Sequence, residues 1–264
     1  MSTLTHRVDG SGPPLVLLNG GLMSIASWDS ITASLEGEFR VVRCDLRGQL
    51  LSPGPRLSIS RHASEVAQLL DHLSIPRAHV LGTSFGGEVA IQLAADHPER
   101  VDRLIVLTAT DRLTPAMIEA TVRFERAARD AADGGDGGKL FRLLAPTAFS
   151  RAFLEAQPRD FVDTRARQIA SLPPSFFDGI AGIMRTLRET HLSDAFPRIA
   201  APTLVIGAAL DQTVPVEHSR AIAQKIAGAR LVVLEGCGHA AVVEATEAVL
   251  RETRSFLLEG GANE

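Results

Sequence analysis

The stretch Gly82-Thr83-Ser84-Phe85-Gly86-Gly87 places a serine between glycines. It follows the apolar run Ala78-His79-Val80-Leu81 and precedes a helix-like stretch, Glu88-Val89-Ala90-Ile91-Gln92-Leu93-Ala94. A strand-to-helix turn of this kind holds the serine in a strained conformation, with its hydroxyl standing clear of the sheet. Gly82 and Gly86 lack Cβ atoms, so strand and helix can come close on either side. The first amides of the helix then point at the serine, and their partial positive charge suits a developing oxyanion. Ser84 is therefore the candidate nucleophile.

A serine hydroxyl needs an adjacent base. Of eight histidines, His239 stands out, in Leu234-Glu235-Gly236-Cys237-Gly238-His239-Ala240. It follows the last apolar run on a loop of small residues. His6, His62, His72, His97, His191 and His218 read as surface or helix-end residues, and His79 reads as facing the flank of the sheet. An imidazole base needs an orienting carboxylate. Asp211 follows the run Leu204-Val205-Ile206-Gly207 and precedes His239, giving the chain order Ser, Asp, His. Asp111, after the neighbouring run Leu104–Thr108, is the competing acid. Asp45 also lies at a strand end and reads as a loop brace. The segment Leu17-Leu18-Asn19-Gly20-Gly21-Leu22-Met23 follows an early strand. Its small residues let a backbone amide approach a reacting carbonyl, so the amides of Gly21 and Phe85 form the expected oxyanion hole, with Leu22 as the alternative to Gly21.

These residues need a scaffold. Short apolar runs at 15–18, 40–44, 79–82, 104–107, 203–207 and 231–234 read as buried strands. Helical patterns lie between them, near 27–36, 62–73, 86–96, 216–227 and 241–258. Such alternation predicts an α/β fold with a mostly parallel sheet covered on both faces. Residues 4–9 are expected to add an edge strand, hairpinned through Gly10-Ser11-Gly12-Pro13. The alternation stops between 111 and 196, a stretch rich in Ala, Arg, Leu and Phe. It predicts a helical cap inserted into a core formed by residues 1–110 and 197–264, above the carboxyl ends of the strands. Most of its apolar residues, Phe141, Leu144, Phe149, Phe153, Phe161, Phe176, Phe177, Ile180 and Met184 among them, are expected to form its own core.

Composition removes other classes. With 264 residues, 45% apolar content and a net charge of −4, the chain has ample core and no basic footprint for nucleic acid. No apolar run reaches membrane-spanning length. Met1–Arg7 shows no secretory pattern, so a cytoplasmic location is expected. Cys44 and Cys237 read as buried small hydrophobes and not as a disulfide framework. Composition leaves the oligomeric state open.

With Asn19-Gly20-Gly21, Asp45-Leu46-Arg47-Gly48, the Ser84 turn, Asp211 before Val214-Pro215, and Gly236-Cys237-Gly238-His239 in place, the chain resembles the α/β-hydrolase superfamily from about residue 6 to 258. The similarity is to its capped single-domain serine hydrolases of the esterase, lactonase and C–C hydrolase kind. It implies cofactor-independent, metal-free cleavage of an ester, thioester or lactone of a small to medium apolar acyl substrate through an acyl-enzyme. The alternatives it leaves are C–C hydrolysis of a β-diketone or vinylogous acid, a small-molecule receptor without turnover, and a lyase or oxygenase using only the His–Asp pair. Two departures stand out. The family usually has His at the position of Asn19, and it commonly continues Asp-x-Arg-Gly with His-Gly-x-Ser where this chain reads Gln49-Leu50-Leu51-Ser52. That second loop is expected near the pocket mouth. Epoxide hydrolases and haloalkane dehalogenases of this fold carry Asp at the elbow, and the former use cap tyrosines. Ser84 and the absence of Tyr argue against both.

Overall fold

A computed structural model of the chain describes residues 4–259; the first residues of the Met1–Arg7 reading lie outside that range. Seven strands form one sheet: β1 (His6–Asp9), β2 (Pro14–Leu18), β3 (Arg40–Cys44), β4 (Ala78–Thr83), β5 (Val101–Leu107), β6 (Thr203–Ala208) and β7 (Arg230–Leu234). Their order is β1-β3-β2-β4-β5-β6-β7, with β1 antiparallel to β3 and every other pair parallel. Both faces are covered, so the inner strands are continuous Val, Leu and Ile runs rather than alternating ones. Among the described residues, no helix is long and apolar enough to cross a membrane.

The edge strand differs from the expected hairpin. β1 lies outside β3, not beside β2. The reason is the turn. Gly10 (φ +75°) and Gly12 (φ +115°) press against the backbone of Glu36, Glu38 and Phe39, and Arg40 N–H donates to the Pro13 carbonyl at 3.0 Å. That seats β3 directly against β2 and carries the preceding chain past it.

Three helices flank the early strands: α1 (Asp29–Leu35), α2 (Ile59–His72) and α3 (Phe85–Asp96). The α3 residues from Phe85 to Ala95 are all buried, as expected of a helix that is apolar nearly all round. Between β5 and β6 come α4 (Pro115–Ala132), α5 (Lys139–Ala148), α6 (Arg151–Ala156), α7 (Phe161–Ala170) and α8 (Pro174–Glu189). Their starts are encoded locally. Thr114 caps α4 ahead of Pro115, and Ser150 caps α6 by accepting from Phe153 N–H. The chain closes with α9 (Val216–Lys225), α10 (Ala241–Glu244) and α11 (Thr246–Leu258), the last two split at Ala245 where one helix was predicted.

The apolar residues of 111–196 divide into two groups. Phe141, Leu144, Phe149, Phe153 and Phe161 pack together in a separate cluster. Phe176, Phe177, Ile180 and Met184, all on α8, join the main core against one face of the sheet. α8 is thus part of the main core as well as of the insertion, and it rests on the core through backbone: a Cβ on Gly179 would lie 2.6 Å from the carbonyl carbon of Gly48.

Candidate active site

Strand order reverses between β2 and β4, and the loops leaving these two strands are therefore free to diverge and leave a crevice. Leu18 pairs with Gly82 across this point, so Asn19-Gly20-Gly21 and Ser84 emerge side by side. Ser84 sits at φ 51°, ψ −123°, a strained geometry for a residue with a side chain. Its N–H donates to the Leu107 carbonyl at 2.9 Å, and its carbonyl accepts from Gly87 and Glu88. The surrounding glycines make the strain sustainable. A Cβ on Gly86 would lie 2.5 Å from the Leu18 carbonyl carbon and 2.6 Å from the Asn19 oxygen, and one on Gly87 2.7 Å from Ala109 Cβ. Phe85 opens α3, where helix amides lack intrahelical acceptors. Gly20 passes over the serine, its Cβ position 3.6 Å from Ser84 Cβ, while Gly21 faces Ile183 and Met184 of α8.

The loops after β6 and β7 deliver the other two groups. His239 Nε2 lies 3.0 Å from Ser84 Oγ, and His239 Nδ1 lies 2.7 Å from Asp211 Oδ2. The Asp211 side chain is 1% exposed, and its Oδ1 accepts the amides of Thr213 (2.9 Å) and Val214 (2.7 Å). With both oxygens engaged, the carboxylate cannot rotate away from the ring. A carboxylate so placed can hold the proton on Nδ1 and leave Nε2 to accept from a serine hydroxyl. Asp111 is placed elsewhere, ion-paired to Lys225 and 3.4 Å from His218 Nδ1, which also meets Thr110 Oγ1 at 2.8 Å. Against the raising effect of burial, hydrogen bonds from Lys225 and His218 and the charge of Lys225 hold the Asp111 carboxyl below the usual carboxylate range. Of the two acids considered, only Asp211 bonds His239.

The end of α5 steadies the histidine loop. Ala240 N–H donates to the Ala148 carbonyl at 2.8 Å, and Glu244 Oε2 accepts from both Ser150 N (3.0 Å) and Gly238 N (3.1 Å). Thr108, like Ser84 a non-glycine residue at positive φ (47°), donates from Oγ1 to the His239 carbonyl at 3.4 Å. A β-branched residue there is a true backbone outlier, and such outliers gather where geometry is over-determined.

Asp45 is a brace. One oxygen accepts from Ile25 N (2.7 Å) and Asn19 Nδ2 (3.0 Å), the other from Leu51 N (2.8 Å), while burial holds its pKa above the ordinary value. In the 49–52 loop, Gln49 is 1% exposed and turns inward to Asn19 and Gly20, while Leu51 is half exposed. One sequence reading needs correction here. His62 is not a surface residue. It is buried on α2 with its ring edge-on to Phe85 at 5.1 Å, and burial pushes its pKa down to about 4. The signal was present, because His62 falls on the apolar stripe of Ile59, Ala63, Val66 and Leu70. Both cysteines are free and buried, and desolvation lifts each thiol to about 12, so neither is a nucleophile near neutral pH. A cavity of about 180 Å³ lies at the seam of α8 and the 47–57 loop, lined in part by Arg47, Gly48, His62, Ile183 and Arg185. Ser84 and His239 do not line it, so it sits beside the site.

The family model for the alpha/beta hydrolase fold matches residues 13–246. Among characterised sequences, the chain is 31% identical to the pyrrolizixenacetamide deacetylase of Xenorhabdus hominickii over 258 residues, covering 97% of this chain and 94% of the relative. It is 29% identical to the 2-hydroxymuconate semialdehyde hydrolase of Pseudomonas sp. strain CF600, covering 96% and 89%. Among solved structures, the enol-lactonase of Burkholderia xenovorans LB400 superposes with a TM-score of 0.83 at 28% identity, covering 97% of this chain and 96% of that one. The strand order, the strained serine at the reversal point and a family match spanning most of the chain agree: this protein belongs to the alpha/beta hydrolase family.

Proposed function

We propose that this protein is a cofactor-independent serine hydrolase that cleaves an ester, thioester or lactone of a small to medium apolar acid. The observation that carries the reading is the unbroken series Ser84 Oγ, His239 and Asp211, with contacts of 3.0 and 2.7 Å. Ser84 attacks the carbonyl carbon while His239 Nε2 takes its proton. Asp211 stabilises the imidazolium, and the Phe85 and Gly21 amides receive the tetrahedral anion. His239 then protonates the leaving group. Water, activated by the same nitrogen, attacks the acyl-enzyme and releases the acid.

Residues 111–196 act as a cap in this reading. Ile183 and Met184 give the oxyanion loop an apolar cover, and the end of α5 secures the histidine loop. Similarity to an enol-lactonase and to a relative named a deacetylase supports acyl cleavage. The relative named 2-hydroxymuconate semialdehyde hydrolase keeps C–C hydrolysis as the second reading. Turnover of p-nitrophenyl acetate and butyrate by wild type and Ser84→Ala tests the first. A fall of about three orders of magnitude or more is expected. An active Ser84→Ala overturns it. Preference for a vinylogous β-diketone over both esters would favour the second.

A further inference from the structure

Oxyanion stabilisation depends on the direction of an N–H bond, and a peptide plane links that direction to the carbonyl before it. In a trans peptide the C=O of one residue and the N–H of the next point opposite ways. No peptide bond among the described residues is cis. Whatever fixes the Gly20 carbonyl therefore fixes the Gly21 N–H. That carbonyl accepts from Gln49 Nε2 at 2.8 Å and from Met23 N at 3.1 Å.

The orientation of Gln49 is itself determined. Its Oε1 accepts from Leu46 N (2.8 Å) and Asn19 Nδ2 (3.0 Å), so its NH₂ group must face Gly20. Asn19 is fixed in turn. Its Oδ1 receives the indole N–H of Trp28 at 2.7 Å, and its Nδ2 donates to Gln49 and Asp45. An indole can only donate, so the direction of every bond follows from Trp28: indole to Asn19, Asn19 to Gln49, Gln49 to the Gly20 carbonyl. Trp28 and Asn19 are fully buried, and Gln49 is 1% exposed. No bulk water competes for these groups, so reversing one amide would leave buried donors facing donors.

We propose that Gln49, set by Asn19 and Trp28, is a positioning residue that aims the Gly21 amide at the developing oxyanion. Positions 19 and 49 both lie where this chain departs from the resembling pattern, and they touch. This rests on the serine-hydrolase reading above, and it selects Gly21 over Leu22 as the loop donor.

The test compares wild type with Gln49→Leu, which keeps approximate volume and removes the donor. For p-nitrophenyl butyrate, kcat is expected to fall about 10- to 100-fold, less than the loss of a whole oxyanion donor, while KM stays within about twofold. Affinity for an alkyl boronic acid, which forms a tetrahedral adduct on the serine, is expected to fall in step with kcat/KM. Affinity for butyrate, which is planar, is expected to hold. A purely structural role would shift the melting temperature without separating these two ligands. If Gln49→Leu does not fold, Trp28→Phe decides, because it keeps an aromatic ring and frees Asn19 to reverse. Weakened boronate binding supports the proposal. Unchanged boronate affinity, or kcat within about twofold of wild type in the folded variant, overturns it. An active Ser84→Ala would instead overturn the hydrolase reading, so the two failures are distinct.

Discussion

Two glycines three residues apart on α8 respond to alanine in opposite directions. Gly179 packs against Gly48, and a Cβ there would stand 2.6 Å from the Gly48 carbonyl carbon and 3.0 Å from its Cα. Carbon atoms rest at about 3.5–4.0 Å, and the Gly48 carbonyl oxygen stands closer still to the new Cβ, so helix and loop must separate by more than roughly 1 Å. Neither obstacle is a side chain that can rotate aside. Overpacking of this kind costs about 3 kcal/mol, at the upper end of the usual range. The better helix propensity of alanine returns about 1 kcal/mol. The net loss is about 2 kcal/mol, or about 4–8 °C in melting temperature for a chain of this size. A Cβ on Gly182 would meet Arg56 at ordinary contact distances, 3.4 Å from its Cβ and 3.7 Å from its Cα. There the propensity gain stands nearly alone, and Gly182→Ala is expected to raise the melting temperature by about 2–4 °C. Thermal unfolding followed by circular dichroism separates the two. A Gly179→Ala protein as stable as Gly182→Ala would refute the backbone contact. Because α8 also carries Ile183 and Met184 over Gly21, kcat/KM should fall in Gly179→Ala and hold in Gly182→Ala.

Further outcomes follow from other sites. Asp211→Asn keeps the size of the acid but no longer selects the His239 tautomer; kcat for p-nitrophenyl butyrate is expected to fall by about 10⁴-fold, and a loss under tenfold would contradict the assigned orienter. His62 has its folded pKa depressed to about 4, so the unfolded chain binds the extra proton first as pH falls. Its contribution is present above about pH 6.5 and lost through about pH 4, a span worth about 3 kcal/mol. The melting temperature of wild type should therefore fall relative to His62→Gln between those values, and a constant difference would contradict the burial of a neutral ring. Glu88 is buried one turn after Ser84 near Asp111, and desolvation raises its pKa well above the usual carboxyl range. The unfolded state ionises first as pH rises, so wild type should lose stability relative to Glu88→Gln above about pH 4.5, by at most about 1.4 kcal/mol per pH unit. A flat difference would show that Glu88 is ionised in the folded protein.

The convergence of Ser84, Asp211 and His239 was legible because each follows an apolar run that forms a strand, so their order along the chain maps onto adjacent strand ends. The choice between Asp111 and Asp211 needed structure. What separates them is Lys225 and His218 on α9, which engage the first and leave the second to the histidine. The Trp28–Asn19–Gln49 series was not legible. Its members come from three loops or helix starts up to 30 residues apart, and no periodicity links them. The hairpin expectation failed for a similar reason. A Gly-Ser-Gly-Pro turn signals a reversal of the chain, but not which strand fills the space beside it. The split of the apolar residues of 111–196 also escaped periodicity, since both groups show helical spacing and only tertiary packing, the Gly48–Gly179 contact included, reveals that α8 lies on the core.

The central claim is that Ser84 is the activated nucleophile. Reaction of the folded protein with a fluorophosphonate, followed by intact-mass and peptide mass spectrometry, tests it directly. One adduct per chain on the peptide containing Ser84, absent from Ser84→Ala and strongly slowed in His239→Ala, is the expected result. Modification at another residue, or an unlabelled Ser84 in protein that still hydrolyses p-nitrophenyl butyrate, would contradict it.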